Sequence, residues 1–355
     1  MTSLATLGVA ILCAAALSGA VRRLPVPSAA PLPDRWHRAL TPVTGGVALF
    51  GAFALVLVPS LLSGAVGSRY LPLVLGAGAA FLLGLWDDLK SIDARTKFAG
   101  QVLIAIFVAS TGLQPDWLPA WAGVPIACLI LVASMNSFNL LDNMDGLAAG
   151  TAAIAALGLA VVAGLVPGTG SSVVAAALAG ACLGFLPFNF RPRRPAALFM
   201  GDSGSQTLGF SLGGLALLAS PGGAGGAAAA VAAPLLILAL PALDTGLVML
   251  VRFAEGRPVW QGGRDHSSHR LVYYGMSERR AVALLLGIAV NCTVTAIALV
   301  ILQDVLLTAV VAAGTIGALI AFASQLLVIS ERADVAIGVV SDSLDDAEIR
   351  DAQVG

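Results

Sequence analysis

Two aspartates stand side by side in the stretch GLWDDLKSID, where a long apolar run gives way to polar residues: Asp87 and Asp88. Adjacent carboxylates repel, and a pKa rises unless a cation offsets them. They also fall at the C-terminal end of a helix, facing the negative end of its dipole. A divalent cation such as Mg²⁺, with hard oxygen ligands and a substrate phosphate, answers both problems. A solvated loop with Lys90 as surface partner is the plain alternative. A third aspartate, Asp202, lies in FMGDSGSQTLGF, between glycines at the start of another apolar run. Free backbone N–H groups at such a helix start suit a phosphate, and an Asp or Ser there also serves as an ordinary N-cap.

A denser polar cluster occupies MNSFNLLDNMDGLAAG, with Asn139, Asp142, Asn143 and Asp145 in the turn between two apolar runs. A cap and turn need one such residue. Several amides and carboxylates together can read a base or sugar edge. The loop GGRDHSSHRLVYYGMS adds His266 and His269 three residues apart, with Arg264 and Arg270. No cysteine or third histidine accompanies them, which argues against zinc. With the arginines they form a cationic patch suited to a diphosphate.

These residues must be positioned by a chain that is 58% apolar and 11% charged, with mean hydropathy +0.93. That composition marks a polytopic membrane protein. Apolar runs predict eleven candidate helices at approximately 4–20, 45–62, 71–86, 98–113, 124–138, 150–165, 172–188, 206–219, 227–251, 280–303 and 305–329. The last two are barely separated, so the expected fold is all-α with ten or eleven transmembrane helices. The first run lacks a basic n-region and is followed by Arg22 and Arg23, as expected of a retained span rather than a cleaved signal. One membrane domain over 1–330 and an acidic solvated tail over 331–355 are expected. The four cysteines sit far apart inside apolar runs, so no disulfide framework is expected.

Orientation follows from charge. Loops after the odd-numbered helices, with the C-terminal tail, carry 18 of the 19 Lys and Arg residues, Arg69 being the exception. By the positive-inside rule these loops are cytoplasmic, and they also hold nearly all the aspartates and all three histidines. The expected location is the inner (plasma) membrane, multi-pass, with the active site facing the cytoplasm. A net charge of −1 gives no reason to expect a nucleic-acid partner. A transporter would place ionisable groups near the membrane midplane. Here only Asp244, inside the ninth run, fits that description.

In order along the chain, PDRWHRALTPVTGG, GLWDDLKSIDARTKFAGQ, NSFNLLDNMDGLAAG, GFLPFN with FMGDSGS, PALDT and DHSSHRL resemble the motifs of the polyprenyl-phosphate N-acetylhexosamine-1-phosphate transferases. This family includes the GlcNAc-1-phosphate transferases and phospho-MurNAc-pentapeptide translocase. The resemblance covers about residues 20 to 330. Three features depart from the pattern: Asn143 stands where members often have Gly, Ser268 interrupts a His-x-His-His cluster, and an insertion-like FRPRRP follows Asn189.

The resemblance implies attack of a polyprenyl phosphate on the β-phosphorus of a UDP-sugar, releasing UMP. It implies Asp202 as principal Mg²⁺ ligand, with Asp87 and Asp88 beside it and Mn²⁺ as a substitute. Those three and His266 form the catalytic set. Asn139, Asp142, Asp145 and Asn189 are expected to face the nucleotide-sugar. Lys97, His266, His269 and Arg270 are expected to meet phosphates, and Arg38 to help hold the lipid phosphate. The broken histidine cluster favours a GlcNAc donor over UDP-MurNAc-pentapeptide. Partners are thus the UDP-sugar and the lipid acceptor, with a homodimer as a further candidate.

Overall fold

A computed structural model describes residues 2–23, 28–29, 41–165, 170–191, 194–218, 226–260 and 263–328. The expected all-α character holds: apart from a two-residue pairing of Ser28–Ala29 with Thr41–Pro42, the described elements are helices. They are α1 (Ser3–Val21), α2 (Gly45–Leu62), α3 (Leu71–Lys90), α4 (Ala94–Ser110), α5 (Ala120–Leu141), α6 (Leu147–Gly164), α7 (Ser171–Asn189), α8 (Gly201–Leu217), α9 (Gly226–Ile237), α10 (Ala239–Ala254), α11 (Ser267–Tyr273), α12 (Glu278–Leu302) and α13 (Val305–Val328). A short 3₁₀ turn, Ser68–Tyr70, precedes α3.

Among the described residues, eight helices are long and apolar enough to cross a membrane, or nine if α9 and α10 count as one bent span. The bend is 65° and has a local cause. Pro241 has no N–H to give the carbonyl of Ile237, so the ladder breaks at Leu238. Two further helices, α4 and α8, have 17 residues each and fall on the fourth and eighth expected runs. The turn between α12 and α13 is as tight as the sequence suggests. Gln303 takes a left-handed conformation (φ 55°) and the Asp304 carboxylate accepts the N–H of Leu307 at 2.8 Å. The acidic tail lies outside the described residues.

Outward faces remain apolar, with Leu12, Leu62, Leu103 and Trp121 all more than two-thirds exposed. A surface of this kind belongs in lipid. The centre of the bundle is α8, whose side chains are almost all buried between α3 and α5. Glycine makes this possible. At Gly84 of α3 a Cβ would come within 2.6 Å of Ser203 Cα, and at Gly209 of α8 within 2.6 Å of Met135 Cα. Helix backbones can approach so closely only where the side chain is missing. Inside this contact Gln101, Asn136 and Gln206 link α4, α5 and α8: Gln101 Nε2 donates to Gln206 Oε1 at 2.9 Å, and Asn136 Nδ2 to Gln101 Oε1 at 2.7 Å.

The two ends of the bundle differ chemically. At one end Arg69 pairs with Asp116 at 3.3 Å, both largely solvated. At the other, about 30 Å away along the 20 residues of α3, the polar motifs gather.

Candidate active site

The C-terminus of α3 meets the N-terminus of α8 through Asp88. Its Oδ1 accepts the N–H of Asp202 at 2.7 Å and its Oδ2 that of Ser203 at 3.0 Å. Asp88 therefore caps α8 from another helix, placing negative charge against the positive end of that dipole. Gly201 makes room for it: φ is +73°, and an added Cβ would lie 2.8 Å from both Asp88 oxygens.

Asp87, one residue earlier, faces differently. Its Oδ1 accepts the N–H of Ile92 at 2.9 Å, closing the turn into α4, and its Oδ2 pairs with Lys97 Nζ at 2.8 Å. The same ammonium contacts Asp202 Oδ2 and donates to Asn139 Oδ1 at 3.2 Å. Asn139 in turn donates to Asp202 Oδ1 at 2.8 Å and to Ser205 Oγ at 3.0 Å. Four helices thus each supply a member of one cluster: Asp87, Lys97, Asn139 and Asp202.

Beside it runs the turn between α5 and α6. Asn189 at the end of α7 holds it, accepting the N–H of Gly146 at 2.8 Å and donating to the Leu198 carbonyl at 3.2 Å. Asp145 Oδ2 accepts the N–H of Ala196 at 3.2 Å. Asp142 is enclosed here. Burial first, then the charges of Asp202, Asp145 and Asp88, push its carboxyl from 3.8 up to about 8.

An acid whose pKa is raised by folding weakens the fold as pH climbs through the window between the two values, here from about 4 to about 8. Asp142→Asn is therefore expected to be more heat-stable than the parent, with an advantage that grows between pH 5 and about 8 in the ligand-free protein. Thermal unfolding in detergent at several pH values checks this. An advantage that shrinks on going alkaline is the opposite of what is expected.

The histidine loop forms a second cluster on α10 and α11. Arg252, in the last turn of α10, donates from Nε to Asp265 Oδ2 at 3.0 Å, and Arg257 donates from Nη2 to Asp265 Oδ1 at 2.8 Å. Burial alone would raise the Asp265 carboxyl, yet these two arginines hold it below its usual range. His266 Nδ1 lies 2.9 Å from Asp244 Oδ2. Burial, together with the neighbouring His266, lowers the His269 imidazole to about 4, so it is neutral near pH 7. Arg270 is buried, with Nε on the Asp265 carbonyl at 2.9 Å and Nη1 on the Leu326 carbonyl at 3.2 Å. It clamps the end of α13.

Ser268 Oγ donates to Asn143 Oδ1 at 2.7 Å, joining this loop to the α5–α6 turn. Two of the three departures from the expected pattern are therefore in contact.

The structure thus brings Asp87, Asp88, Lys97, Asn139 and Asp202 together, sets Asp142, Asp145 and Asn189 alongside, and groups His266, His269 and Arg270 on the adjoining loop. Arg38 lies outside the described residues. Sequence reasoning had no role for Ser205, which bonds Asn139, or for Asp244, although a lone acid in an apolar run was a visible signal.

Known proteins resemble this chain over most of its length. Over 284 residues the chain is 35% identical to the decaprenyl-phosphate N-acetylglucosaminephosphotransferase of Mycolicibacterium smegmatis (strain ATCC 700084 / mc(2)155), covering 70% of this chain and 69% of the relative. Over 277 residues it is 31% identical to a Bacillus subtilis (strain 168) protein named as a probable undecaprenyl-phosphate N-acetylglucosaminyl 1-phosphate transferase, covering 74% of each. The model of glycosyl transferase family 4 matches residues 70–220. The chain belongs to glycosyl transferase family 4. The matched segment runs from the start of α3 past the end of α8, so it contains every member of the Asp87–Lys97–Asn139–Asp202 cluster. A phospho-N-acetylmuramoyl-pentapeptide-transferase of Desulforudis audaxviator (strain MP104C) is 37% identical over 211 residues, covering 50% of this chain and 62% of that one. The names of these relatives thus cover two transferred groups.

Proposed function

We propose that this protein transfers N-acetylhexosamine 1-phosphate, most simply GlcNAc 1-phosphate, from a UDP-sugar to a polyprenyl phosphate, forming the first lipid-linked intermediate of an envelope polysaccharide. The observation that carries the reading is the polar cluster of four helices at one end of an apolar bundle. There a lipid phosphate at the membrane surface and a soluble nucleotide can meet. We place this end in the cytoplasm, on the basic-residue asymmetry, and count eleven spans by adding α4, α8 and the bent α9–α10 pair to the eight.

Mg²⁺ suits the site. Asp87 and Asp202 present hard carboxylate oxygens close enough together for one cation, the Lys97 ammonium, to contact both. Mg²⁺ needs only one or two carboxylates alongside waters and substrate phosphates. Asp88 has both oxygens on the α8 amides and serves the site as its cap. When bound, the ion would neutralise charge on the diphosphate.

Phosphoryl transfer asks for little covalent work from the protein beyond positioning and charge neutralisation. A lipid phosphate with a second pKa near ~6 is largely dianionic at neutral pH and can attack without a base. One of its oxygens bonds to the β-phosphorus while the bond from that phosphorus to the bridging oxygen breaks, and UMP departs with the bridging oxygen. In this reading Lys97 screens the phosphates, Asn139 and Asn189 hold the cluster and the α5–α6 turn, and Asp142 and Asp145 line the nucleotide-sugar side.

Purified protein given UDP-GlcNAc, polyprenyl phosphate and Mg²⁺ is expected to release UMP, and only when the lipid is present. Because one phosphoanhydride replaces another, labelled UMP is expected to exchange back into UDP-GlcNAc. UDP as the sole nucleotide product would mean sugar transfer without its phosphate and would overturn the mechanism. UMP release with UDP-MurNAc-pentapeptide alone would keep the mechanism and change the donor.

A further inference from the structure

Asp244 is a fully buried acid that the phosphate-transfer reading leaves without a task. It sits in α10, six residues past Leu238, where the helix ladder breaks, and it has no exposed surface. A carboxylate at that depth in an apolar helix is costly and calls for partners. It has three. His266 Nδ1 lies 2.9 Å from Oδ2, and Ser267 donates to Oδ1 twice, from its N–H at 2.7 Å and its Oγ at 2.6 Å. With Oδ1 accepting two hydrogens, the remaining oxygen is set to accept the His266 Nδ1–H. The ring is braced on another side by His269, edge to face, with centroids 5.5 Å apart. Among the described residues Nε2 of His266 has no protein hydrogen-bond partner.

We propose that Asp244 is the positioning residue for His266: it keeps the proton on Nδ1 and fixes the ring angle, so that Nε2 stays a bare acceptor, which takes the proton from lipid phosphate bound as its monoanion when that oxygen attacks the β-phosphorus and returns it to the departing UMP phosphate. This rests on the proposed transfer reaction, with His266 at the phosphates as its motif implies. The logic is that of any carboxylate behind a working imidazole, where the partner on one nitrogen decides what the other nitrogen can do. Asp244 itself touches no substrate.

Docking of α11 onto α10 is the competing account, since two of the three hydrogen bonds come from Ser267. Asp244→Asn separates the two. Its amide oxygen can still accept both Ser267 bonds, but its NH₂ would face Nδ1 and force the proton onto Nε2. Under the proposal Asp244→Asn folds with near-parental thermal stability and loses roughly 10- to 100-fold in kcat, with KM for UDP-GlcNAc little changed. His266→Gln is expected to lose at least as much. The double variant is expected to be no worse than His266→Gln alone, because Asp244 acts only through that ring. Multiplying losses in the double variant, or a fully active Asp244→Asn, overturns the proposal. If His266→Gln is fully active while UMP release proceeds normally, the proposal fails and the transfer reaction stands. Absence of any lipid-dependent UMP release in the parent would instead fail the functional reading itself.

A second measurement needs no variant at position 244. In parental protein with ¹⁵N-labelled histidine, the His266 signals, assigned by their loss in His266→Gln, are expected to show a protonated Nδ1. A bare Nδ1 with a protonated Nε2 overturns the proposal.

Discussion

Asp202→Asn is expected to lower the rate of UMP release by about 10³-fold, the upper range for removing one preorganised electrostatic group, while leaving the protein folded. Its carboxylate is where three helices are read at once. Oδ2 contacts Lys97 of α4, Oδ1 accepts from Asn139 of α5, and the residue itself opens α8 under the Asp88 cap from α3. An amide of the same shape keeps the packing and one acceptor but removes the charge. Lys97 would then face only Asp87, and the proposed Mg²⁺ would lose one of its two carboxylates. Turnover is accordingly expected to stop in EDTA and return with Mg²⁺ or Mn²⁺. Glu255→Gln is the control, an exposed acid paired with Arg257 near the histidine loop and away from this cluster. Near-parental activity of Asp202→Asn, or full turnover in EDTA, would remove the aspartate cluster from the mechanism.

Much of the scaffold was legible because lipid imposes one rule: every spanning segment must satisfy its own backbone, so apolar runs become helices. The eleven runs all appear as helical segments, and even the tight turn at Gln303 and Asp304 follows the sequence. The 65° break was not read, because Pro241 looks the same in a kinked helix as in a turn. At the site, residue types showed which groups belong to the polar end, but not which of them meet. Asp88 illustrates the gap. Paired with Asp87 it reads as a second metal ligand, yet successive helix residues point about 100° apart, and only Asp87 reaches Lys97. Asp88 instead caps a helix that begins 113 positions later, a partnership no local pattern can announce. Arg270 shows the same limit, since its cationic type suggested phosphate while its Nε and Nη1 hold carbonyls of Asp265 and Leu326.

The glycines that let α3 and α8 touch were also invisible as site residues, and one of them is expected to matter greatly. A Cβ at Gly84 would lie 2.5 Å from the Asp202 carbonyl carbon and 2.6 Å from Ser203 Cα. Both neighbours are backbone, so no side chain can swing aside, and α3 and α8 must separate. Overpacking of this kind costs about 1–3 kcal/mol, which a bundle of this size can absorb. Catalysis has less tolerance. Asp87 rides on α3 three residues beyond Gly84, and Asp202 is the residue displaced, so the shift opens the pair that shares the Lys97 ammonium and, in the proposed reaction, one Mg²⁺. A misplacement of about 1 Å can cost 10²-fold in rate. Gly84→Ala is therefore expected to purify as a folded, helical protein with a modestly lowered melting temperature and a turnover reduced by 10²-fold or more. Gly78→Ala, six residues earlier on α3, would meet only Phe50 Cζ at an ordinary 3.7 Å and is expected to behave like the parent. Equal activity in the two variants would show that the spacing of α3 and α8 does not set the geometry of the aspartate pair.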